Sequence, residues 1–117
     1  MTLEELRVLR LVQSTLVRNY VDTQRLDVEV IGTTVYIEGE FRVFDYHPGH
    51  RHATDHFQRE LAMKRLLLQI EHEIRSFGEV SHLDMKFHNW SRIGLQWVAR
   101  SGATESFNTT TTPHPSY

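Results

Sequence analysis

Apolar and polar residues alternate one by one through residues 26–44, in two runs joined at Gly32-Thr33. The first run has apolar residues at Leu26, Val28 and Val30. Period-two alternation on both sides of a glycine turn is typical of a β-hairpin with one buried face. The sequence therefore predicts two antiparallel strands here. In the second run the inward positions are Val35, Ile37, Gly39, Phe41 and Val43.

Two longer segments carry apolar residues at the three- and four-residue spacing of an amphipathic helix. The first helix is predicted from about Leu3 to Val21, with Thr2 and Glu5 placed to form a capping box. Its apolar stripe is wide, which predicts deep burial or a second contact face. The second helix is predicted from about His56 to Phe77, and Gly78 is placed as the C′ residue that ends it. The apolar positions of the second helix are Leu61, Met63, Leu66, Leu67, Ile70, Ile74 and Phe77.

A third strand is predicted within residues 80–90, where Leu83, Met85 and Phe87 alternate with polar residues. The alternation after it, in residues 93–97, predicts either an extension of this strand past a kink or a short fourth strand. Residues 101–117 are rich in Thr, Ser and Pro and nearly lack apolar side chains. Such a composition does not offset the entropy cost of ordering, so we predict one domain over 1–100 and a disordered tail over 101–117.

The order helix, strand, strand, helix, strand predicts an α+β fold. Each element has one apolar face, and the economical packing is a two-layer sandwich. We expect a small mixed three-stranded sheet with both helices on one face. The other face of the sheet would meet solvent or a partner, and it would carry Asp27, Glu29, Tyr36, Glu38, Glu40, Arg42, His82, Asp84, Lys86 and His88.

This order, together with the motif G-x-x-V-x-I-x-G from Gly32 to Gly39, resembles the BON domain family. In those domains a helix precedes a hairpin of the form V-x-V-x-x-G-x-V-x-L-x-G, and a second helix and a closing strand follow. One extra residue separates Gly32 from Val35 in this chain. The segment Gly78-Glu79-Val80 is similar to the family's G-V-x-x-V passage. The hairpin positions that match in type are Val28, Val30, Gly32, Val35, Ile37 and Gly39.

The resemblance implies a non-catalytic protein. BON domains are associated with envelope attachment, phospholipid binding or assembly, and their topology is similar to that of the ring-building modules of secretion systems. Two features depart from the family: the N-terminus lacks an export signal, and the second strand with the His-rich loop after it is longer. For the shared glycines, we expect a positive φ at Gly32 in the turn and a closely crossing helix at Gly39.

Composition and charge limit the classes of partner that this protein could bind. The 117 residues contain 13 basic and 15 acidic residues, interspersed, with a net charge of -2. No basic field points to nucleic acid or to an anionic membrane. There is no cysteine, so disulfides and thiol chemistry are excluded. Acidic residues occupy the position where a signal peptide has bases, and no run approaches the roughly 20 apolar residues of a membrane span. The expected location is cytoplasmic.

A histidine-rich loop follows the hairpin. His47, His50, His52 and His56 lie within ten residues, beside Asp45 and Asp55. Imidazole nitrogens are ligands for a divalent transition metal such as Zn²⁺, which takes about four ligands. These four histidines are therefore candidate metal ligands. The alternatives are a pH-responsive loop, since histidine titrates near pH 6 to 7, and a solvated polar loop.

Catalytic patterns are missing from the sequence. No nucleophile elbow and no glycine-rich phosphate loop occurs. Glu38 and Glu40 are two residues apart on the predicted outer face, where mutual repulsion is expected to raise a pKa. Acids on a solvated strand usually have no further role, so we predict that the protein is not an enzyme.

The late aromatic segment has two interpretations. Trp90, Ile93, Leu95 and Trp97 follow the expected last strand, and they would form either an interaction surface or a closure of the chain's own core. Our preferred function is a non-catalytic binding or assembly module, acting by self-association or on a protein partner in the cytoplasm or at the envelope. The alternative is a metal- or pH-responsive protein that uses loop 45–56.

Overall fold

Two helices and five strands make up the part of the chain that the structure, a computed structural model, describes: residues 1–44 and 56–100. The predicted α+β class is confirmed. The tail over 101–117 and most of the His-rich loop lie outside the described residues. A short 3₁₀ turn, Thr23–Arg25, precedes the first strand. The elements are α1 Leu3–Arg18, β1 Leu26–Ile31, β2 Thr34–Gly39, α2 His56–Arg75, β3 His82–Phe87, β4 Trp90–Ile93 and β5 Gln96–Ala99.

Helix α1 begins with the predicted capping box. The Thr2 hydroxyl accepts from the Glu5 N–H at 3.1 Å, and the Glu5 carboxylate accepts from the Thr2 N–H at 2.7 Å. The helix ends at Arg18, three residues before the predicted end. Tyr20 stops it because this residue has a φ of 66°, in the left-handed region that a right-handed helix cannot continue through. The Tyr20 side chain is exposed, so the buried stripe of α1 ends before this residue.

The three-stranded sheet is mixed, as predicted. β2 lies in the centre, antiparallel to β1 and parallel to β3, so that Ile37 faces Val28 on one side and Met85 on the other. Both helices pack on the apolar face of this sheet, and their side chains join it in one core. The buried apolar residues are Val8, Val12, Leu16, Val21, Leu26, Val30, Val35, Ile37, Phe41, Val43, Met63, Leu67, Ile70, Ile74, Phe87, Trp90 and Trp97.

Strand β2 ends at Gly39, whereas the alternation predicts a strand that continues to Val43. The backbone turns at Gly39 with a φ of 131°. Beyond it, the inward positions Phe41 and Val43 remain buried, but their backbone finds other partners. Val43 forms an isolated bridge with Val21. Side-chain alternation predicts burial correctly here but not the strand, because burial does not require ladder pairing.

The predicted helix contact at Gly39 is wrong. A Cβ atom at Gly39 would collide with the carbonyl oxygen of Arg25 and lie 3.1 Å from the Cα of Leu26. The close neighbour is therefore the backbone at the start of β1. The prediction for Gly32 is confirmed, since this residue has a φ of 62° in the turn between β1 and β2.

Helix α2 ends at Arg75 rather than at Phe77. The Ser76 N–H donates to the carbonyls of His72 and Glu73, and its hydroxyl donates to the carbonyl of Glu73 at 2.6 Å. Gly78 is not the C′ residue that we predicted, because it lies beyond this cap and outside the left-handed region.

The chain after β3 forms a separate hairpin. β4 pairs antiparallel with β5 across a two-residue turn at Gly94-Leu95, where Gly94 has a φ of 61°. The predicted extension of β3 past a kink is therefore wrong. The predicted fourth strand exists, but it pairs with a fifth strand and not with the sheet.

Candidate interaction surface

The β4–β5 hairpin is fixed to the body of the protein by Trp97. The Trp97 side chain is only 2% exposed, and its indole N–H donates to Glu71 Oε1 of α2 at 3.2 Å. The other oxygen of this buried carboxylate accepts from Arg92 Nε at 3.2 Å. The Arg92 guanidinium also lies 5.9 Å from the centre of the Trp97 ring, within range of a cation–π contact. Glu71 thus holds both strands of the hairpin against α2.

Asn89 fixes the entry to the same hairpin. Its side-chain oxygen accepts from the Phe41 N–H at 3.0 Å, and its side-chain nitrogen donates to the Phe41 carbonyl at 2.9 Å. The amide thereby substitutes for a neighbouring strand beyond the end of β2. The Asn89 carbonyl accepts from the Arg100 N–H at 3.0 Å, which ties the end of the hairpin to the same point. Hydrogen bonds therefore hold both ends of the hairpin, and those between Asn89 and Phe41 are buried.

Three apolar side chains are exposed on the outward side of this hairpin, whose outward face also carries Ser91 and Gln96. Ile93 is 61% exposed, and Leu95 in the turn is 86% exposed. Val98 shares the outward face with Ile93, since Trp97 and Arg92 are register partners on the inward face. We call Ile93, Leu95 and Val98 the hairpin patch. Turn positions usually carry polar residues or glycine, which makes Leu95 an unusual occupant.

The four residues predicted to form an interaction surface are divided between core and surface. Trp90 and Trp97 belong to the protein's own core and offer a partner nothing in this arrangement. Ile93 and Leu95 remain available at the surface. The interaction prediction is thus reduced to the hairpin patch, which includes Val98, a residue that our sequence analysis did not select.

The predicted metal ligands do not come together within the described residues. His47, His50 and His52 lie outside them, and so do Asp45 and Asp55; of His56 only the backbone position at the start of α2 is described. Across residues 1–44 and 57–100, no group of three or more His, Asp or Glu side chains could hold a metal ion. The metal site of the loop stays a prediction.

The predicted rise in pKa at Glu38 and Glu40 is wrong for Glu40. The Glu40 carboxylate accepts from Arg42 at 2.9 Å and from Arg25 at 3.3 Å. The hydrogen bond from Arg42 is the largest effect, and it lowers the pKa of Glu40 below its ordinary value. The group is ionised and paired, which is unsuited to a general acid.

Compared with protein-family models, with curated proteins and with solved structures, the chain matches none of them. The BON resemblance therefore stays a prediction from the motif and the order of elements. In the part of the chain that is described, neither helix has the length and apolarity to cross a membrane.

Proposed function

We propose that this protein is a non-catalytic assembly module, BON-like in its order of elements, that associates through the hairpin patch. The observation that carries the proposal is the contrast within one hairpin. Trp97 faces inward and is buried, while Ile93 and Leu95 face outward and are exposed.

The anchoring of the hairpin favours binding. A surface that is already ordered loses little conformational entropy when a partner covers it. Trp97, Glu71 and Asn89 supply that order through the contacts described above. Covering a side chain the size of leucine contributes about 1.5–3 kcal/mol. Two such residues on a fixed hairpin are therefore a favourable contact for another apolar surface.

A second copy of the chain is the simplest partner for the hairpin patch. In a two-fold dimer the same patch meets itself, and this is the commonest symmetry of oligomers. Stable interfaces bury at least about 1,000 Å² in total, so backbone pairing must add to the side-chain contact. β5 pairs with β4 alone among the described strands, so its outer edge is placed for such pairing.

Light scattering after size exclusion tests this proposal. We expect a dimer mass for the full chain at about 0.5 M salt, where surface charges are largely screened. The double variant Ile93→Ser/Leu95→Ser should be monomeric. Val17→Ser is the matched control, because Val17 is an exposed apolar residue on α1, whereas the hairpin packs on α2, and this variant should stay dimeric. A monomeric wild-type chain under these conditions would contradict the proposal.

A further inference from the structure

The sandwich leaves a second pair of surfaces uncovered, on opposite sides of the described domain. Helix α1 turns Val8, Val12 and Leu16 towards the core, and its opposite side faces outward. The sheet turns its apolar face towards the helices, and its polar face also faces outward. Each copy of the chain therefore ends in a helix face on one side and a sheet face on the other.

The sheet face is acidic. Strand register places Asp27 opposite Glu38, and Glu38 opposite Lys86. The next row across the sheet is Glu29, Tyr36 and Asp84. The single lysine of these two rows already pairs with Asp84 at 3.7 Å. Like charges directly opposite each other destabilise a sheet, so the pair Asp27 and Glu38 raises the free energy of the isolated chain.

No hydrogen bond or ion pair to Asp27, Glu29 or Glu38 is present among the residues that the structure describes. These carboxylates line an open groove of about 620 Å³, whose apolar lining comes from Val28, Ile31 and Tyr36. The Ile31 side chain is 55% exposed. This face thus offers negative charge around a small apolar centre, and we call it the acidic sheet face.

The outward face of α1 has the opposite character. Its groove, of about 690 Å³, is lined by Leu3, Leu6, Leu11, Arg7 and Arg10. Arg7 pairs with Glu79, in an ion pair at the surface that contributes little to stability and can exchange partners. Arg10 has no such pairing within the described part of the chain, and its guanidinium is exposed.

We propose that the acidic sheet face of one copy receives the α1 groove of a second copy. Arg7 and Arg10 would lie against the carboxylates, and the leucines of the groove would cover Ile31 and Tyr36. The lengths agree, since a helix of 16 residues measures about 24 Å and a strand of six residues about 20 Å. A second copy is the favoured occupant because the chain itself carries both complementary charges.

This contact rests on the proposed assembly role. It involves no residue of the hairpin patch and no residue of the β4–β5 turn. It joins two different surfaces, so each copy keeps one free half after pairing. Association therefore continues beyond two copies, unlike pairing through the hairpin patch alone.

Charge reversal tests the contact without interference from the hairpin. The variants are made in the Ile93→Ser/Leu95→Ser background and examined by sedimentation velocity at about 50 mM and about 500 mM salt. We expect the background chain to associate at low salt and to dissociate at high salt. Arg10→Glu and Glu29→Lys should each weaken association about tenfold or more.

An equimolar mixture of the two variants should restore association. The intact sheet face of the Arg10→Glu chain then meets the intact helix face of the Glu29→Lys chain, so a folding defect would not give this result. Arg65→Glu is the matched control, because Arg65 is an exposed arginine on α2, and this variant should associate as the background does.

Two results would overturn the contact: a background chain that is monomeric at low salt, or a mixture that stays dissociated. Neither result bears on the dimer through the hairpin patch, which is measured at high salt. Conversely, a wild-type monomer at high salt removes the hairpin dimer and leaves this contact to stand on the charge-reversal data.

Discussion

At the scale of single residues, Gly39 has the tightest surroundings among the described glycines. The Glu40 N–H donates to the Arg25 carbonyl at 3.1 Å, and the Gly39 carbonyl accepts from the His88 N–H at 2.8 Å. These two bonds draw β1 and the end of β3 close around Gly39, with no space for a Cβ atom. The positive φ adds a second reason, since side chains rarely adopt this backbone conformation.

We expect Gly39→Ala to lower the free energy of unfolding by about 2–4 kcal/mol, because backbone strain and a collision with the Arg25 carbonyl act together. Gly78→Ala is the matched control. A Cβ at Gly78 meets no atom within 4 Å, so this variant should be neutral or slightly stabilised. Urea denaturation measures both variants. Equal stability of the Gly39→Ala and Gly78→Ala variants would show that the Arg25 carbonyl does not approach Gly39 closely.

Glu5 joins α1 to the turn between β1 and β2. Its carboxylate accepts from the Thr2 N–H within the capping box and from the Gly32 N–H at 2.6 Å. The bond from Thr2 is the first cause and the bond from Gly32 the second, and together they lower the pKa of Glu5 below its ordinary value. A lowered pKa in the folded state stabilises the fold above the unfolded-state pKa. That stabilisation is lost as the pH falls through the folded-state pKa.

We therefore expect Glu5→Gln to be less stable than wild type at neutral pH, with a difference that shrinks as the pH falls below the ordinary glutamate range. Thermal melts from about pH 7 to about pH 3 measure this difference. Glu4→Gln is the control, since Glu4 is an exposed glutamate in the same first turn. A difference for Glu5→Gln that is independent of pH would contradict the role of its charge.

At the scale of elements, the β4–β5 hairpin needs its anchor. A two-stranded hairpin alone is marginal in water. The rings of Phe87 and Trp97 pack with centroids 5.6 Å apart, and the Trp97 indole N–H reaches Glu71. The stability of this element therefore depends on its inward side chains, while the hairpin patch is free to serve binding.

We expect Trp97→Phe to cost about 1–3 kcal/mol, because it removes the indole donor and leaves one Glu71 oxygen buried without it. Leu95→Ala, on the exposed turn of the same hairpin, should change stability by less than about 0.5 kcal/mol. Urea denaturation compares the two variants. A Trp97→Phe chain as stable as wild type would mean that the hairpin is held by packing alone.

The same element shows where sequence patterns stop being informative. Alternation at Ile93, Leu95 and Trp97 indicates an extended segment, but a period of two does not identify the partner of a strand. The hairpin depends on Gly94 in the turn and on the Asn89 amide, which replaces a strand neighbour for Phe41. A lone asparagine gives no such signal in the sequence, since the contact joins residues far apart along the chain.

At the scale of the whole molecule, the layers follow from the sequence because each element buries one face. Both helix starts, the Gly32-Thr33 turn and the inward positions of the strands agree with their patterns. The end of α1 at Arg18 and the end of β2 at Gly39 do not, because the positive φ of Tyr20 and of Gly39 gives no signal in the hydrophobic pattern. The predicted interaction residues divide between core and surface, because apolar composition alone does not distinguish a buried Trp97 from an exposed Leu95.

The parallel pairing of β2 with β3 has a consequence for how the chain reaches this structure. β1 and β2 meet across two residues, and such hairpins form in about 1–10 μs. Tyr36 meets Asp84 only after the chain between them has crossed back over the sheet, and closing so long a segment costs entropy before any contact compensates it. During synthesis the β1–β2 hairpin therefore forms before β3 is available, and one edge of β2 is still unpaired. The carboxylates of Glu29 on β1 and Glu38 on β2 then act as gatekeeper residues, because their negative charges oppose the pairing of these strands with strands of another chain.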